Sequence, residues 1–248
     1  MPEAYEGFAF VYDRFMADVN YNEWASYINT LILEANPRAK SIVDCACGTG
    51  TLSLLLAQMG YHVIGADASA DMLRVAQEKA RAAAAQIPFV CQDMRKLLLH
   101  KPVDVILSAN DGVNYLIDEP DVLAFFQAAH KALNPGGLLL FDISSPYKLE
   151  NVLGNNTFSD VQEDCAYIWS NNYQKHARLC EMELTCFWKN GMLYERTDEL
   201  HLQRAHDPQE LILLLQSAGF RNIHMYEAFT QAAPKSDSER IQFSAVRL

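Results

Sequence analysis

The run Val43-Asp44-Cys45-Ala46-Cys47-Gly48-Thr49-Gly50 limits what this chain can fold into more than any other segment. A short apolar strand ends in an acid, a turn of small residues follows, and an apolar helix begins at once. Small residues let the backbone approach a ligand, and the helix N-terminus beyond them offers unpaired N–H groups. Such a turn belongs between a strand and a helix of a parallel sheet, and the flanking pattern agrees. Strands are predicted over 41–45, 61–67, 88–91, 103–109 and 138–143, with helices between them over 51–59, 69–84 and 118–133. Gly60 stops the first of these helices. Ser69 reads as the N-cap of the second, with Asp71 in its first turn. Asn134-Pro135-Gly136-Gly137 turns the chain into the fifth strand.

The two ends and one long segment depart from this alternation. Residues 1–36 predict two helices. Tyr5, Phe8, Val11, Tyr12 and Phe15 recur at helical spacing in one, and Trp24, Tyr27, Ile28 and Leu31 in the other; Asn36-Pro37 ends the second. Residues 146–205 contain three long runs rich in β-branched and aromatic residues, 165–173, 179–188 and 192–203. Lys189-Asn190-Gly191 joins the last two as a hairpin turn. An antiparallel β-meander is therefore expected, inserted before the closing elements. Asp207-Pro208-Gln209-Glu210 then caps a helix running to Gly219, and strands over 222–228 and 240–246 finish the chain. The fold class is α/β: a Rossmann-like, mostly parallel seven-stranded sheet with helices on both faces and the meander as an insertion.

The spacing of the small residues bears on the ligand. Ala46, Gly48 and Gly50 stand at G-x-G-x-G spacing, and Thr51 occupies the place where a dinucleotide fingerprint needs its third glycine. That argues against NAD. Asp67 lies at the end of the next strand, where a carboxylate can accept hydrogen bonds from both hydroxyls of a ribose.

With these residues in view the chain resembles the class I S-adenosylmethionine-dependent methyltransferases, and within them the small YqeM-type bacterial enzymes. The resemblance runs nearly end to end. It includes Tyr5-Glu6-x-Phe8-Ala9-x-Val11-Tyr12-Asp13, the glycine loop, Asp67-Ala68-Ser69-x-Asp71-Met72-Leu73 and Gln92-Asp93-Met94-Arg95. Asn114-Tyr115-Leu116, Pro135-x-Gly137-x-Leu139-Leu140-Phe141-Asp142, Tyr167-Ile168-Trp169 and His201-x-Gln203-Arg204 continue it. The resemblance implies S-adenosylmethionine as cofactor. Asp44, Ala46, Cys47, Gly48 and Gly50 would line its methionine part, and Asp67 with Ala68 its ribose. Met72 would pack on the adenine, Asp93 would meet the amino group, and the Met94 backbone N–H a ring nitrogen. Ala109 and Asn110 would approach the methionine amine and sulfonium. Residues 1–145 and 206–248 would form the cofactor-binding domain, with 1–36 as a helical lid carrying Tyr12, and 146–205 as an inserted cap over the substrate. One departure is Ala46, where the family has glycine. Alanine disfavours positive φ, so the loop is expected to sit slightly further from its ligand.

The acceptor is less legible. Candidate contacts are Tyr5 from the first helix, Asn114 and Tyr115 after the fourth strand, and Tyr167, Trp169, Arg196, His201 and Arg204 from the insertion. Inward-facing Arg196 and Arg204 would favour an anionic acceptor. Alignment and desolvation carry methyl transfer, and a general base is needed only for a protonated acceptor, so no catalytic residue is assigned. No metal set is assigned either. Cys45-x-Cys47 is half a site without a partner, the histidines form no ligand motif, and Asp111 and Asp142 alone would have to hold a magnesium ion.

Composition narrows the partners. Twenty basic residues face 31 acidic ones, a net charge of −11, which argues against a nucleic-acid partner. The Pro-Cys and Asp/Asn-Pro-Pro-Tyr/Phe motifs of nucleic-acid methylases are missing as well. No apolar run approaches the ~20 residues of a membrane span, and the acidic N-terminus is no signal peptide. Six cysteines without a disulfide framework fit a cytoplasmic setting. Methylation of a small molecule on nitrogen or oxygen is the expectation. The alternatives are an RNA or protein methyltransferase, or a sensor or assembly protein that binds the cofactor without catalysis. The sequence carries no signal for oligomeric state.

Overall fold

The computed structural model describes residues 9–248. Helices α1 (Ala9–Phe15) and α2 (Tyr21–Ala35) lead into strand β1 (Ser41–Cys45), α3 (Thr51–Gln58), β2 (His62–Asp67), α4 (Ala70–Ala82) and β3 (Phe89–Cys91). Strand β4 (Val103–Ser108), α5 (Glu119–Ala132) and β5 (Leu133–Ser144) follow. Four strands, β6 (Thr157–Val161), β7 (Cys165–Gln174), β8 (Leu179–Asn190) and β9 (Leu193–Arg204), precede α6 (Pro208–Ser217), β10 (Phe220–Glu227) and β11 (Arg240–Arg247). Tyr5, Phe8 and the start of the expected lid lie outside the described residues.

The large sheet has the order β10-β11-β5-β4-β1-β2-β3, with β11 antiparallel to both neighbours and the other pairs parallel. Both faces are covered, which is why its central strands read as near-continuous apolar runs. Alternate residues divide between two cores. Val43, Ile106, Leu139 and Phe141 pack under α5 and α6, while Ile42, Val105, Leu107 and Leu140 pack under α2 and α3. Chain direction across the sheet switches between β1 and β4, and a crevice opens there at the carboxyl ends of the strands.

The second sheet is an antiparallel meander, β6-β7-β8-β9. Asn190 pairs with Leu193, so Gly191-Met192 form a two-residue hairpin loop with Gly191 left-handed at φ 61°. Strand β6 escaped the sequence reading because Thr-Phe-Ser-Asp-Val is short, half polar and an edge strand. The expected turn at 134–137 lies instead within β5. Pairing jumps from Val103–Leu133 to Val105–Leu138, and Gly136 takes φ 77° in the resulting irregularity. Among the described residues no helix is long and apolar enough to cross a membrane.

Candidate active site

At the switch point lies a cleft of about 710 Å³, within the usual range for small-ligand sites. Its floor is the turn after β1. Cys47 N donates to Ala66 O (3.1 Å) and Gly50 N to Cys47 O (2.9 Å), folding the loop back on β2. The fold requires left-handed backbone at Ala46 (φ 55°), Gly48 (φ 55°) and Gly50 (φ 71°). Ala46 adopts it despite its methyl group. An L-residue there costs roughly 1–2 kcal/mol, partly offset by the ~0.4–1 kcal/mol of chain entropy that a glycine adds to the unfolded state. Ala46→Gly should therefore raise Tm by about 1–4 °C. A melt showing no rise would mean that the methyl group packs well enough to compensate.

Gly50 is on the loop but does not line the cleft. A Cβ there would come 3.0 Å from Ala76 and Phe89, so its small size serves the packing of α4 and β3 against the loop. The other proposed cofactor contacts, Tyr12, Asp44, Ala46, Cys47, Gly48, Asp67, Ala68, Met72, Asp93, Met94, Ala109 and Asn110, all line it.

Four carboxylates give the cleft its electrostatic character: Asp44, Asp67, Asp71 and Asp93. Burial pushes Asp44 up to about 7, against the lowering effect of the Ser53 hydroxyl, which donates to Oδ2 at 2.5 Å. A cation bound beside it would pull that proton off. Asp67 is raised by burial and opposed by backbone hydrogen bonds. Gly48 N donates to its Oδ2 and Ser69 N to its Oδ1, each at 2.8 Å. The Ala68 N–H also acts on this carboxylate, and whatever acceptor capacity it retains is what ribose hydroxyls would use. The helix cap is Ser69, which accepts from Met72 N (3.2 Å), so Asp67 does not serve that purpose. Asp93 accepts from Arg95 Nε at 2.9 and 2.8 Å, and these bonds hold its carboxyl below the usual range. Arg95 also pairs with Asp121 at 2.6 Å.

The other wall is aromatic. Tyr12, Tyr21 and Tyr115 line the cleft alongside Ala109 and Asn110. The Asn110 amide donates to the Tyr12 hydroxyl at 3.5 Å, and burial raises the ionisation of both the Tyr12 and Tyr21 phenols. Helix α1, which carries Tyr12, is latched over the loop. Asp13 accepts from the Thr49 hydroxyl (2.6 Å) and pairs with Lys79 (2.5 Å), while Arg74 lies 4.0 Å from the Phe10 ring. Tyr21 and Lys79 were absent from the sequence reading. Helical periodicity marks α4's core face and says nothing of a lysine that reaches back to the loop.

Most candidate contacts from the insertion stand away from the cleft. Arg196 is exposed and paired with Asp198 (2.8 Å), and the Arg204 guanidinium donates to Ile117 O (2.9 Å). Neither presents a charge to an anionic acceptor. Tyr167 packs edge-on against Phe15, and Trp169 packs at a tilt against Phe158. Asn114 is fully buried as a staple between the sheets: its amide donates to Ser144 O (3.0 Å) and Arg204 O (2.9 Å), and its Oδ1 accepts from Ser144 N (3.0 Å). Tyr115 reaches the cleft, with His201 directly behind it. Asp111 and Asp142, the pair weighed above for magnesium, are bridged by the guanidinium of Arg240. That arginine left no sequence signal, because its partners lie about a hundred residues away.

A family model described as a methyltransferase domain matches residues 42–137. Over 242 residues, 97% of this chain and 96% of the relative, the chain is 36% identical to a Bacillus subtilis (strain 168) protein named as the methyltransferase YqeM. The crystal structure of an S-adenosylmethionine-dependent methyltransferase from Clostridium acetobutylicum superimposes with a TM-score of 0.89 at 32% identity, covering 98% of each chain. An amino pentose methyltransferase from Micromonospora echinaspora, solved with S-adenosylmethionine bound, shares the fold. Its TM-score is 0.77 at 21% identity, with 96% of each chain covered.

Proposed function

The chain belongs to the YqeM-type S-adenosylmethionine-dependent methyltransferases, and on that premise we propose that it methylates the nitrogen of a small amine. The observation that carries this reading is the charge of the cleft. Among its described lining residues are four aspartates and a single basic side chain, Arg95, already paired with Asp93 and Asp121. Such a wall suits a cofactor of net positive charge and a neutral or cationic acceptor, and offers no free basic side chain to an acceptor that is itself a carboxylate or phosphate. The amino-pentose activity of the Micromonospora neighbour is compatible with it.

The residues fit the cofactor. When bound, S-adenosylmethionine supplies a methyl group activated on a sulfonium. The loop from Asp44 to Gly48 would hold its methionine end and Asp67 the ribose. Met72, Asp93 and Met94 would hold the adenine. The backbone at Ala109 and Asn110 is fixed from behind by the Asp142 carboxylate, which accepts from Asn110 N (2.7 Å) and Asp111 N (3.2 Å). Asn110 and Asp111 both take positive φ, 63° and 62°, so this bend is held in place rather than relaxed. Tyr12, Tyr21 and Tyr115 would exclude water and surround the acceptor nitrogen with ring faces and phenol oxygens, both favourable to an amine. Residues 1–145 with 206–248 would form the cofactor domain, with α1 as its lid and 146–205 as the cap behind Tyr115.

Label from methyl-tritiated cofactor, incubated with the protein and a metabolite extract of bacterial cells, should appear in the cationic small-molecule fraction. Label confined to anionic or neutral compounds would refute the amine reading, and label only in RNA or protein would refute a small acceptor altogether.

A further inference from the structure

Asp93 follows β3, caps the 3₁₀ turn Met94–Lys96, and lines the cleft together with Met94 and Arg95. Arg95 holds the Asp93 carboxylate with three of its N–H groups. The backbone N donates to Oδ1 at 2.9 Å, Nε to Oδ1 and Oδ2 at 2.9 and 2.8 Å, and Nη2 to Oδ2 at 2.5 Å. Its remaining nitrogen, Nη1, reaches Asp121 Oδ2 at 2.6 Å. Asp121 stands in the first turn of α5, whose Val122, Phe125 and Phe126 are fully buried in the main core. One guanidinium therefore fixes the carboxylate and ties its turn to a helix that cannot shift.

The clamp sets charge and direction together. Hydrogen bonds from Arg95 hold the Asp93 carboxyl below the usual range, so at neutral pH it is an ionised group that accepts and does not donate. The side chains of Arg95 and Asp93 are 39% and 30% exposed, so their mutual attraction alone contributes little. What the fork adds is orientation: a planar guanidinium engages both carboxylate oxygens at once, which an ammonium does not. We propose that Arg95 is the positioning residue for purine recognition: by holding Asp93 as a fixed acceptor beside the Met94 N–H, it makes the cleft read adenine against hypoxanthine. This rests on the placement of the purine at Asp93 and Met94 proposed above. Adenine presents an amino donor next to a ring-nitrogen acceptor, which match a carboxylate and an N–H. Hypoxanthine presents a carbonyl next to a ring N–H and inverts both contacts. A carboxylate free to swing aside would spare the carbonyl that repulsion, so the discrimination depends on the clamp.

The test is calorimetric titration of the full-length protein with two ligands, S-adenosylhomocysteine and its deaminated analogue S-inosylhomocysteine. The wild type should prefer the adenine compound roughly 100-fold or more. Arg95→Met should cut that preference about 10-fold or more, by weakening the adenine compound while the inosyl compound binds no worse. Arg95→Lys keeps the charge without the fork and should resemble Arg95→Met. Both side chains of the clamp are partly exposed, so the variants should fold, with circular dichroism as the check. Equal weakening of the two ligands in folded Arg95→Met would assign Arg95 a general structural role and overturn the proposal. A full preference kept by Arg95→Met or by Arg95→Lys would overturn it as well. Asp93→Asn separates the premise from the proposal: its amide can donate to the carbonyl, so the preference should shrink most there. A preference unchanged in Asp93→Asn, or absent from the wild type, would instead bring down the purine placement itself, and the role of Arg95 with it.

Discussion

Arg240→Met should cost roughly 3–5 kcal/mol of stability, the usual consequence of removing one partner from a buried ion pair. Asp142 is wholly buried in the middle of the cluster, and the side chains of Arg240 and Asp111 are 16% and 20% exposed. Burial drives both carboxyls toward the neutral form. At Asp111 the charge of Arg240, helped by Lys148, outweighs burial and holds the group below the usual carboxylate range; at Asp142 burial prevails. Without the guanidinium, two adjacent carboxylates would share a low-dielectric site, and methionine would supply volume but no charge. For a chain of this length the loss corresponds to a fall in Tm of roughly 6–20 °C. Because Asp142 also anchors the backbone of Asn110 and Asp111, the folded fraction of the variant should bind S-adenosylmethionine more weakly. A melt within a degree or two of the wild type would show that the triad does not hold the β4, β5 and β11 ends together.

The contrast between this cluster and the glycine loop explains what the sequence could and could not convey. The loop is local: strand, turn and helix lie within twenty residues, and the need for left-handed backbone selects residue types that can be read directly. The alternating strands and helices are local in the same sense, through period-two and period-3.6 patterns. Asp67 was legible because one βαβ unit fixes its distance from the loop. By contrast, Arg240 meets Asp111 and Asp142 only when β11 completes the large sheet, and Asn114 and Tyr115 meet Arg204 and His201, 90 and 86 positions away, only when the second sheet docks on the first. Residue type alone also misleads within the insertion. Arg196 and Arg204 have the chemistry for an anionic acceptor, but one spends its charge on a neighbouring aspartate and the other on a carbonyl. Aromatic residues in a meander have both core packing and substrate contact open to them; Tyr167 and Trp169 took the first.

Asp67→Ala is the second large effect, and it bears on binding. The carboxylate accepts from Gly48 N and Ser69 N, so it joins the glycine loop to the start of α4, and it lines the cleft. Loss of charge-assisted hydrogen bonds to a ribose corresponds to roughly 1.5–3 kcal/mol, or about a 10–150-fold weaker Kd. Asp67 is at the surface of the cleft and outside the main cores, so the variant should remain folded, which circular dichroism can verify. Calorimetric titration of S-adenosylmethionine into the wild type and Asp67→Ala, side by side, is the most direct test of the claim that this cleft holds the methyl donor. The account predicts saturable binding to the wild type and the stated weakening in the variant. Equal affinity in a folded variant would place the ribose elsewhere and contradict the assignment of the cleft.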